Sequence, residues 1–283
     1  MTIGDELTAE NLMCSDLLQM GLRLKKITTI EALMRKKLLI LVLVVSALAV
    51  MVTSPRGLEA RMQFTANRAC CDLSLPQVLS LTFKQTLGGP SYPSEIGQDK
   101  WVIFKMFPTV TDGFFLDVGS GHGTIGSNTR ALEELGWTGI CVDPFPTHME
   151  GRTCRMEKAV VSSSAGQVVK FHTHPGLGGI ANTLGKWKDE AAKSPAVELT
   201  TTTLGELLDR AHAPSYIHFL SLDIEGAELE ALKGVPFEKY RFGAMAIEHN
   251  DEEPKRSDLL KFLEARGYRR VHSFKQDDFY GPR

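Results

Sequence analysis

A short apolar segment that runs into a glycine-rich turn constrains the fold of this chain more than any other feature. Residues 114–123 read Phe-Phe-Leu-Asp-Val-Gly-Ser-Gly-His-Gly, and a helix-like pattern follows over 124–135. Glycine carries no Cβ and adopts positive φ readily, so a ligand can lie against the backbone of such a turn. In an open α/β sheet, a turn of this kind lies at the carboxyl end of the first strand, where nucleotide-like ligands bind.

A second apolar segment ends in another acidic residue. Residues 138–142 read Thr-Gly-Ile-Cys-Val, and Asp143 follows them directly. An acidic residue that closes the second strand, about twenty residues after the glycine turn, can accept hydrogen bonds from ribose hydroxyls. The two segments together predict a nucleoside cofactor.

The glycine spacing alone leaves more than one cofactor open. Gly121, Gly123 and Gly126 have the spacing of a dinucleotide-binding turn, which holds a pyrophosphate at a helix N-terminus. Asp117, two residues before the first glycine, would repel a pyrophosphate but would suit the ammonium group of a methionine moiety. S-adenosylmethionine therefore fits better than NAD, and a tight turn without a ligand is a further alternative.

Several motifs in the second half of the chain resemble those of the FkbM-type methyltransferases. The most specific is the segment 220–228, Leu-Ser-Leu-Asp-Ile-Glu-Gly-Ala-Glu. Further matching pieces, in the family's order, lie at 97–99, 116–119, 159–162, 200–204 and 247–250. The resemblance spans about 91–282. It departs from the family at Asp143, where glutamate is common, and at His122, where a small or acidic residue is more usual.

The resemblance implies an S-adenosyl-L-methionine-dependent methyltransferase that modifies a hydroxyl oxygen. The expected acceptor is a sugar, a glycan, a lipid or a secondary metabolite. The residues expected to contact the cofactor are Asp117, Gly119, Ser120, Gly121, Gly123, Asp143 and Ala159. Two other functions stay open: an NAD-dependent oxidoreductase and a non-catalytic, membrane-anchored module with the same fold. The oxidoreductase usually carries a Tyr-x-x-x-Lys pair, which this sequence lacks.

Acidic residues at the ends of two predicted strands are the candidates for catalysis. Methyl transfer from a sulfonium needs chiefly proximity and alignment, and an acceptor hydroxyl also gains from a general base. The candidates for this base are Asp223, Glu225 and His249. We expect no metal, although a divalent ion that bridges Asp223, Glu225 and Glu248 is an alternative. Glu228 and Glu230 are expected on a solvated helix face.

The remaining pattern predicts the architecture. Strands are expected near 114–118, 138–142, 156–161, 167–172, 197–201, 217–223 and 243–248, helices near 124–135, 203–210, 226–232 and 255–266, and a hairpin-like pair over 268–281. Apolar strands that alternate with helices indicate an α/β fold. We expect a doubly wound, Rossmann-like methyltransferase sheet that is mainly parallel and is preceded by an N-terminal hydrophobic helix.

The N-terminal part of the chain has a different character. Residues 38–52 form an apolar run that contains one serine, with the basic residues 35–37 before it and Pro55 after it. The run is short for a spanning helix, and its basic flank predicts a cytoplasmic N-terminus. We therefore expect a cytoplasmic tail (1–37), a transmembrane signal-anchor (38–54), a stem (55–90) and a methyltransferase domain (91–283). We expect a type II, single-pass membrane protein of the Golgi or another endomembrane. The alternative is a signal peptide from Met34, whose cleavage leaves a secreted or periplasmic protein.

Charge and cysteine content limit the partners. The net charge is −2, and no basic stripe with interleaved aromatic residues is visible, so nucleic acid is not an expected partner. The expected partners are a small-molecule or glycan acceptor and the membrane, through 38–54. The five cysteines form no Cys-x-x-Cys pair that would suggest zinc, and they leave open whether the thiols are reduced or cross-linked.

Overall fold

The computed structural model describes residues 91–283 of the chain. The predicted cytoplasmic tail, signal-anchor and stem, which together span 1–90, lie outside the described residues. Within 91–283, none of the helices combines the length and the apolar composition that are needed to cross a bilayer.

The described residues alternate between strands and short helices. The strands are β1 (Phe114–Val118), β2 (Thr138–Val142), β3 (Arg155–Glu157), β4 (Val160–Val161), β5 (Val168–His172), β6 (Gly179–Ile180), β7 (Ala196–Thr202), β8 (Tyr216–Leu222), β9 (Arg241–Glu248), β10 (Tyr268–Phe274) and β11 (Asp277–Pro282). The helices are α1 (Gln98–Lys100), which continues as a π-helical segment (Trp101–Met106), α2 (Arg130–Glu134), α3 (Lys188–Ala191), preceded by a 3-10 turn (Gly185–Trp187), α4 (Leu204–Arg210), α5 (Glu228–Lys233) and α6 (Lys255–Glu264).

The main sheet has seven strands in the order β10-β11-β9-β8-β1-β2-β3. From β1 the chain winds outward through β2 and β3 on one side, and later through β8 and β9 on the other side. Within this group of five strands, every pair of adjacent strands is parallel. The order of the strands thus reverses between β1 and β8, which is the position where open α/β sheets bind their ligands.

The sheets are mixed rather than mainly parallel, which corrects one part of the predicted architecture. In the main sheet, β11 is antiparallel to both of its neighbours, β9 and β10. A second sheet, in the order β4-β7-β5-β6, contains one parallel and two antiparallel pairings. The antiparallel pair β10–β11 is joined by only two residues, 275–276, whereas a parallel pair needs a long crossover connection.

Two predicted elements differ from those observed. The helix expected over 124–135 is confined to Arg130–Glu134. Residues 124–129 read Thr-Ile-Gly-Ser-Asn-Thr, a composition that disfavours a helix, and Gly126 has a φ of 72°. The strand expected over 156–161 is divided into β3, in the main sheet, and β4, in the second sheet.

Helices cover both faces of the main sheet, as a doubly wound fold requires. Along β1, Leu116 and Val118 enter a core that also contains apolar side chains of α4, α5 and α6. Phe115, which precedes Leu116, enters the opposite core with Trp101 and Leu132. Because successive side chains of a strand point to opposite faces, this single apolar strand contributes to both cores. The carboxyl end of β1 is thereby fixed at the centre of the molecule.

Candidate functional site

A cleft of about 520 Å³ opens at the carboxyl ends of β1, β2 and β8. This volume lies within the range of small-molecule sites. One side of the cleft is formed by the glycine turn after β1 and by Asp143 after β2. Asp223, after β8, lies beside this turn, and Glu225 together with Phe171 and Ile180 of the second sheet also lines the cleft.

The glycine turn is packed directly against the end of β8. Gly119 has a φ of 87°, and a Cβ added there would lie 1.6 Å from the carbonyl oxygen of Asp223. The backbone N–H of Gly119 donates to the carbonyl of Val142 at the end of β2, at 2.8 Å. Glycine at this position therefore lets the ends of three strands converge on one side of the cleft.

Asp143 fastens the turn from the side of β2. Its Oδ2 accepts a hydrogen bond from the backbone N–H of Gly121 at 3.0 Å, and its Oδ1 accepts one from Phe145 at 2.7 Å. Burial raises the pKa of Asp143, and the two backbone donors offset part of this shift. Each carboxylate oxygen keeps a lone pair with which it could accept a ligand hydroxyl from the cleft.

The predicted cofactor-contacting residues fall into two groups. Gly119, Gly121, Asp143 and Ala159 line the cleft. The other three are Asp117, Ser120 and Gly123, which are not among the lining residues. Asp117 is only 3% exposed and accepts a hydrogen bond from the hydroxyl of Thr129 at 2.5 Å. The sequence therefore locates the turn correctly but does not reveal that Asp117 lies behind it.

Three carboxylates meet at the floor of the cleft. Asp223, Glu225 and Glu248 each offer an oxygen within 4.8 Å of the other two. Asp223 is open to the cleft, whereas Glu248 is buried. Desolvation by the surrounding protein raises the pKa of all three, and repulsion from neighbouring carboxylates raises it further. This cluster therefore retains protons at pH values where isolated carboxyl groups are ionised.

The buried amide of Asn250 joins two of these carboxylates. Its Nδ2 donates to Glu248 at 2.6 Å and to Glu225 at 3.4 Å, while its Oδ1 accepts a hydrogen bond from the indole N–H of Trp187 at 3.1 Å. Glu225 and Asn250 both have a positive φ. This backbone conformation is strained in residues other than glycine, and residues that adopt it cluster at functional sites. Hard divalent cations also prefer carboxylate oxygens, so this is the place among the described residues where one could bind.

His249 lies outside the cleft. Its side chain is 1% exposed, and its Nδ1 accepts a hydrogen bond from the backbone N–H of Asp251 at 2.9 Å. The proton therefore resides on Nε2, which is 3.6 Å from Asp278. His249 is not among the residues that line the cleft, so the structure does not place it as the predicted base.

Glu228 differs from its expected place on a solvated helix face. It is fully buried, accepts hydrogen bonds from the backbone N–H groups of Ile224 and Gly226, and pairs with Lys255 at 3.3 Å. Glu230 does lie near solvent and pairs with Lys233. Glu228 thus supports the loop that carries Glu225, because its carboxylate satisfies backbone donors at the start of α5.

Comparisons with known proteins test the resemblance to the FkbM-type methyltransferases. Residues 117–270 match the family model described as the methyltransferase FkbM domain. A search of curated proteins finds no significant match. Among solved structures, one similar chain is a proposed RNA methyltransferase from Pyrococcus horikoshii, with 12% identity, a TM-score of 0.31, and coverage of 68% of this chain and 87% of that chain. The family match covers more than half of the sequence and confirms the predicted resemblance: the chain belongs to the FkbM methyltransferase domain family.

Proposed function

We propose that the protein uses S-adenosyl-L-methionine to methylate a hydroxyl oxygen of a small-molecule or glycan acceptor. The observation that carries the proposal is the convergence, in one cleft, of the glycine turn, Asp143 and the carboxylates Asp223 and Glu225. The first two features suit a nucleoside, and the carboxylates suit a reaction in which a hydroxyl loses its proton. Membership of a methyltransferase family supports the same reaction class.

The cofactor half of the cleft fits a nucleoside with a cationic tail. A Cβ at Gly121 would have only two atoms within 4 Å, at 3.8 and 3.9 Å, so the space beside this glycine is open to a ligand. Asp143 would accept hydrogen bonds from the ribose hydroxyls. Asp223 would attract a sulfonium or ammonium group, since it lines the same cleft and its pKa of about 6 leaves it mostly ionised at neutral pH. When bound, the cofactor supplies an electrophilic methyl group.

The same geometry does not favour a dinucleotide. A pyrophosphate is held by the free backbone N–H groups at the N-terminus of a helix that begins directly after the glycine turn. Here the next helix, α2, begins only at Arg130, and residues 124–129 are irregular. The carboxylates of the cleft would also repel the pyrophosphate charges. Both observations favour S-adenosylmethionine over NAD.

The acceptor half of the cleft offers a base and an apolar wall. Glu225 is the best-placed base, because it lines the cleft and because, once ionised at mildly alkaline pH, a carboxylate with a pKa of about 8 accepts a proton more readily than an ordinary glutamate. This carboxylate would accept the proton of the acceptor hydroxyl as that oxygen takes the methyl group; the methyl–sulfur bond would break, and its electron pair would stay on sulfur, which leaves as the neutral thioether of S-adenosylhomocysteine. Phe171 and Ile180 provide a face against which the apolar side of a sugar ring or another organic acceptor could pack.

Calorimetric binding to the purified full-length protein tests the cofactor. We expect S-adenosylhomocysteine to bind with micromolar affinity and NAD not to bind, and we expect Asp143→Ala to weaken S-adenosylhomocysteine by about tenfold or more. Binding of NAD alone would favour redox chemistry, and binding of neither would favour a non-catalytic module. A screen of sugars, glycans and secondary metabolites with methyl-labelled S-adenosylmethionine would then identify the acceptor.

We propose in addition that the domain faces the lumen of an endomembrane, behind a signal-anchor at 38–54. A disulfide between Cys141 and Cys154 supports this orientation, because disulfides persist in oxidising compartments and are rare in the cytosol. The sequence contains no Asn-x-Ser/Thr site, so an engineered site gives an unambiguous test. Glycosylation of a site introduced at Gly166, in an exposed turn, would support a lumenal domain. Glycosylation of a second site, introduced near the N-terminus, without glycosylation at 166 would contradict it.

A further inference from the structure

Arg152 is a buried arginine whose role the reaction described above does not explain. Its side chain is 1% exposed and lies behind the glycine turn, in the loop between β2 and β3. All of its donor groups are used. Nε pairs with Glu133, Nη1 donates to the Gly123 carbonyl and the Ser127 hydroxyl, each at 3.1 Å, and Nη2 donates to Thr129 Oγ1 at 2.7 Å and contacts Cys141 Sγ at 3.3 Å.

Three of these contacts fall on the segment 120–129, which contains the glycine turn and its irregular continuation. This segment contains no helix or extended strand, and its backbone hydrogen bonds go to scattered partners, such as Val142 for Ser120 and Thr147 for Gly123. Arg152 contacts it at Gly123, Ser127 and Thr129. A planar guanidinium with donors in fixed directions can hold such a segment in one geometry, which a flexible ammonium group does less well.

Arg152 also determines the direction of a hydrogen bond to Asp117. Because arginine can only donate, the hydroxyl oxygen of Thr129 must accept from it. The single hydrogen of that hydroxyl is then free for Asp117 Oδ2, which lies 2.5 Å away. Burial raises the pKa of Asp117, and the negative charges of Glu133 and Asp143 raise it further. The hydroxyl of Thr129 and the positive charge of Arg152 act in the opposite direction and lower it. Arg152 thus favours an ionised Asp117 directly below the turn.

The loop that carries Arg152 is itself fixed at two points. Glu133 of α2 accepts hydrogen bonds from the backbone N–H groups of Thr153 and Cys154 as well as pairing with the guanidinium. Cys154 is covalently linked to Cys141 in β2. The arginine is therefore presented from a rigid base rather than from a mobile loop.

We propose that Arg152 is a positioning residue that holds the glycine turn in the geometry needed to bind the cofactor. The inference rests on the proposed function, since it concerns the same cleft. Arg152 does not line the cleft and touches no ligand. It acts through Gly123, Thr129 and Asp117, and its loss would loosen the wall that Gly119 and Gly121 form.

The test compares S-adenosylhomocysteine affinity and thermal stability among full-length variants. Arg152→Gln removes the charge and most of the donors, and we expect its dissociation constant to rise about tenfold or more. Arg152→Lys keeps the charge without the fork, and we expect partial rescue. Thr129→Val keeps the shape but removes the hydroxyl, and we expect weaker binding together with a lower melting temperature, because Asp117 and Arg152 each lose a buried partner. This third variant keeps the test valid if Arg152→Gln does not fold.

Arg256→Gln is the matched control. Arg256 also makes a bidentate pair with a buried carboxylate, Asp278, but lies on α6, away from the cleft. We expect it to lower the melting temperature without changing S-adenosylhomocysteine affinity more than about twofold. Wild-type affinity in both Arg152→Lys and Thr129→Val would overturn the inference. A wild-type protein that binds no S-adenosylhomocysteine would instead overturn the proposed function, and this inference with it.

Discussion

Gly119 shows how one residue can determine whether a binding site exists. Its positive φ and missing side chain let the turn after β1 lie against the carbonyl of Asp223, at the end of β8. The two strands are neighbours in the sheet, so a larger residue would separate the two halves of the cleft as well as strain the turn. Stability and ligand binding are therefore linked at this position.

Replacement of Gly119 should destabilise the protein more than replacement of a glycine with the same backbone conformation. Gly119→Ala adds left-handed strain and a clash, and we expect a loss of about 3 kcal/mol or more in the free energy of unfolding. Gly151 has a φ of 80° with nothing within 4 Å of an added Cβ, so Gly151→Ala should cost only about 1 kcal/mol. Urea denaturation measures both. Equal losses of stability in the two variants would show that a Cβ at position 119 does not clash with the carbonyl of Asp223.

Glu225 should make stability depend on pH. Desolvation, followed by the charges of Asp223 and Glu228, raises its pKa to about 8 in the folded protein. The folded state thus holds a proton that the unfolded chain releases near pH 4.3, so stability should fall as the pH rises from about 5 to 8. Glu225→Gln, which imitates the neutral acid, should raise the melting temperature at pH 8 by about 2–4 °C and less at pH 5.

The control for Glu225→Gln is Glu238→Gln, which changes an exposed carboxylate outside the cleft. Thermal unfolding of both variants at the two pH values separates the effect of the cluster from a general effect of charge. A gain for Glu225→Gln that is the same at pH 5 and pH 8 would argue against a proton shared within the cluster.

At the scale of elements, the loop before β3 behaves as part of the glycine turn's support. The disulfide from Cys154 to Cys141 closes a loop with a sequence separation of 13. The double variant Cys141→Ala/Cys154→Ala should lose about 3 kcal/mol in the free energy of unfolding. It should also weaken S-adenosylhomocysteine binding, because the loop that carries Arg152 becomes mobile. Chemical denaturation and calorimetry measure the two effects. Unchanged affinity would show that Glu133 holds the loop alone.

The central strands β1, β2, β8 and β9 could be predicted from sequence because each is largely apolar and ends at a turn or an acidic residue. β1 and β2 are predicted with their observed bounds. The prediction of a helix over 124–135 is wrong for 124–129, whose threonine, serine, asparagine and glycine residues have poor helix propensity. The two-residue strands β4 and β6 are too short to give a periodic signal, and they are strands because of their tertiary partners.

The site could be predicted only where its residues lie close together in sequence. The glycine turn, Asp143 and the Asp223–Glu225 motif were identified because they follow predicted strands. Arg152 and Trp187 carry no local signal, since their roles depend on partners such as Thr129 and Asn250, which lie 23 and 63 residues away. The burial of Asp117 follows from the same long-range packing.

At the scale of the whole molecule, the cleft joins elements of both sheets, and a ligand bound there should stabilise the folded domain. A ligand at a free concentration one hundred times its dissociation constant adds about 2.7 kcal/mol to the free energy of unfolding. For a domain of this size we expect saturating S-adenosylhomocysteine to raise the melting temperature by about 5–10 °C. Asp143→Ala should lower the melting temperature of the free protein, because two backbone donors lose their partner, and should also reduce the shift that the ligand produces. An equal shift in both proteins would place the ligand elsewhere.

The pairing of β1 with β8 also has a kinetic consequence. Phe114 and His218, which are joined by a hydrogen bond from the Phe114 backbone, are separated by 104 residues. Contacts between such distant parts of a chain form slowly, because a long loop must close before the contact gives any stabilisation. The glycine turn can meet Asp223 only after this closure. Cofactor binding would therefore slow the unfolding of finished molecules, and it could not speed the early steps by which they form.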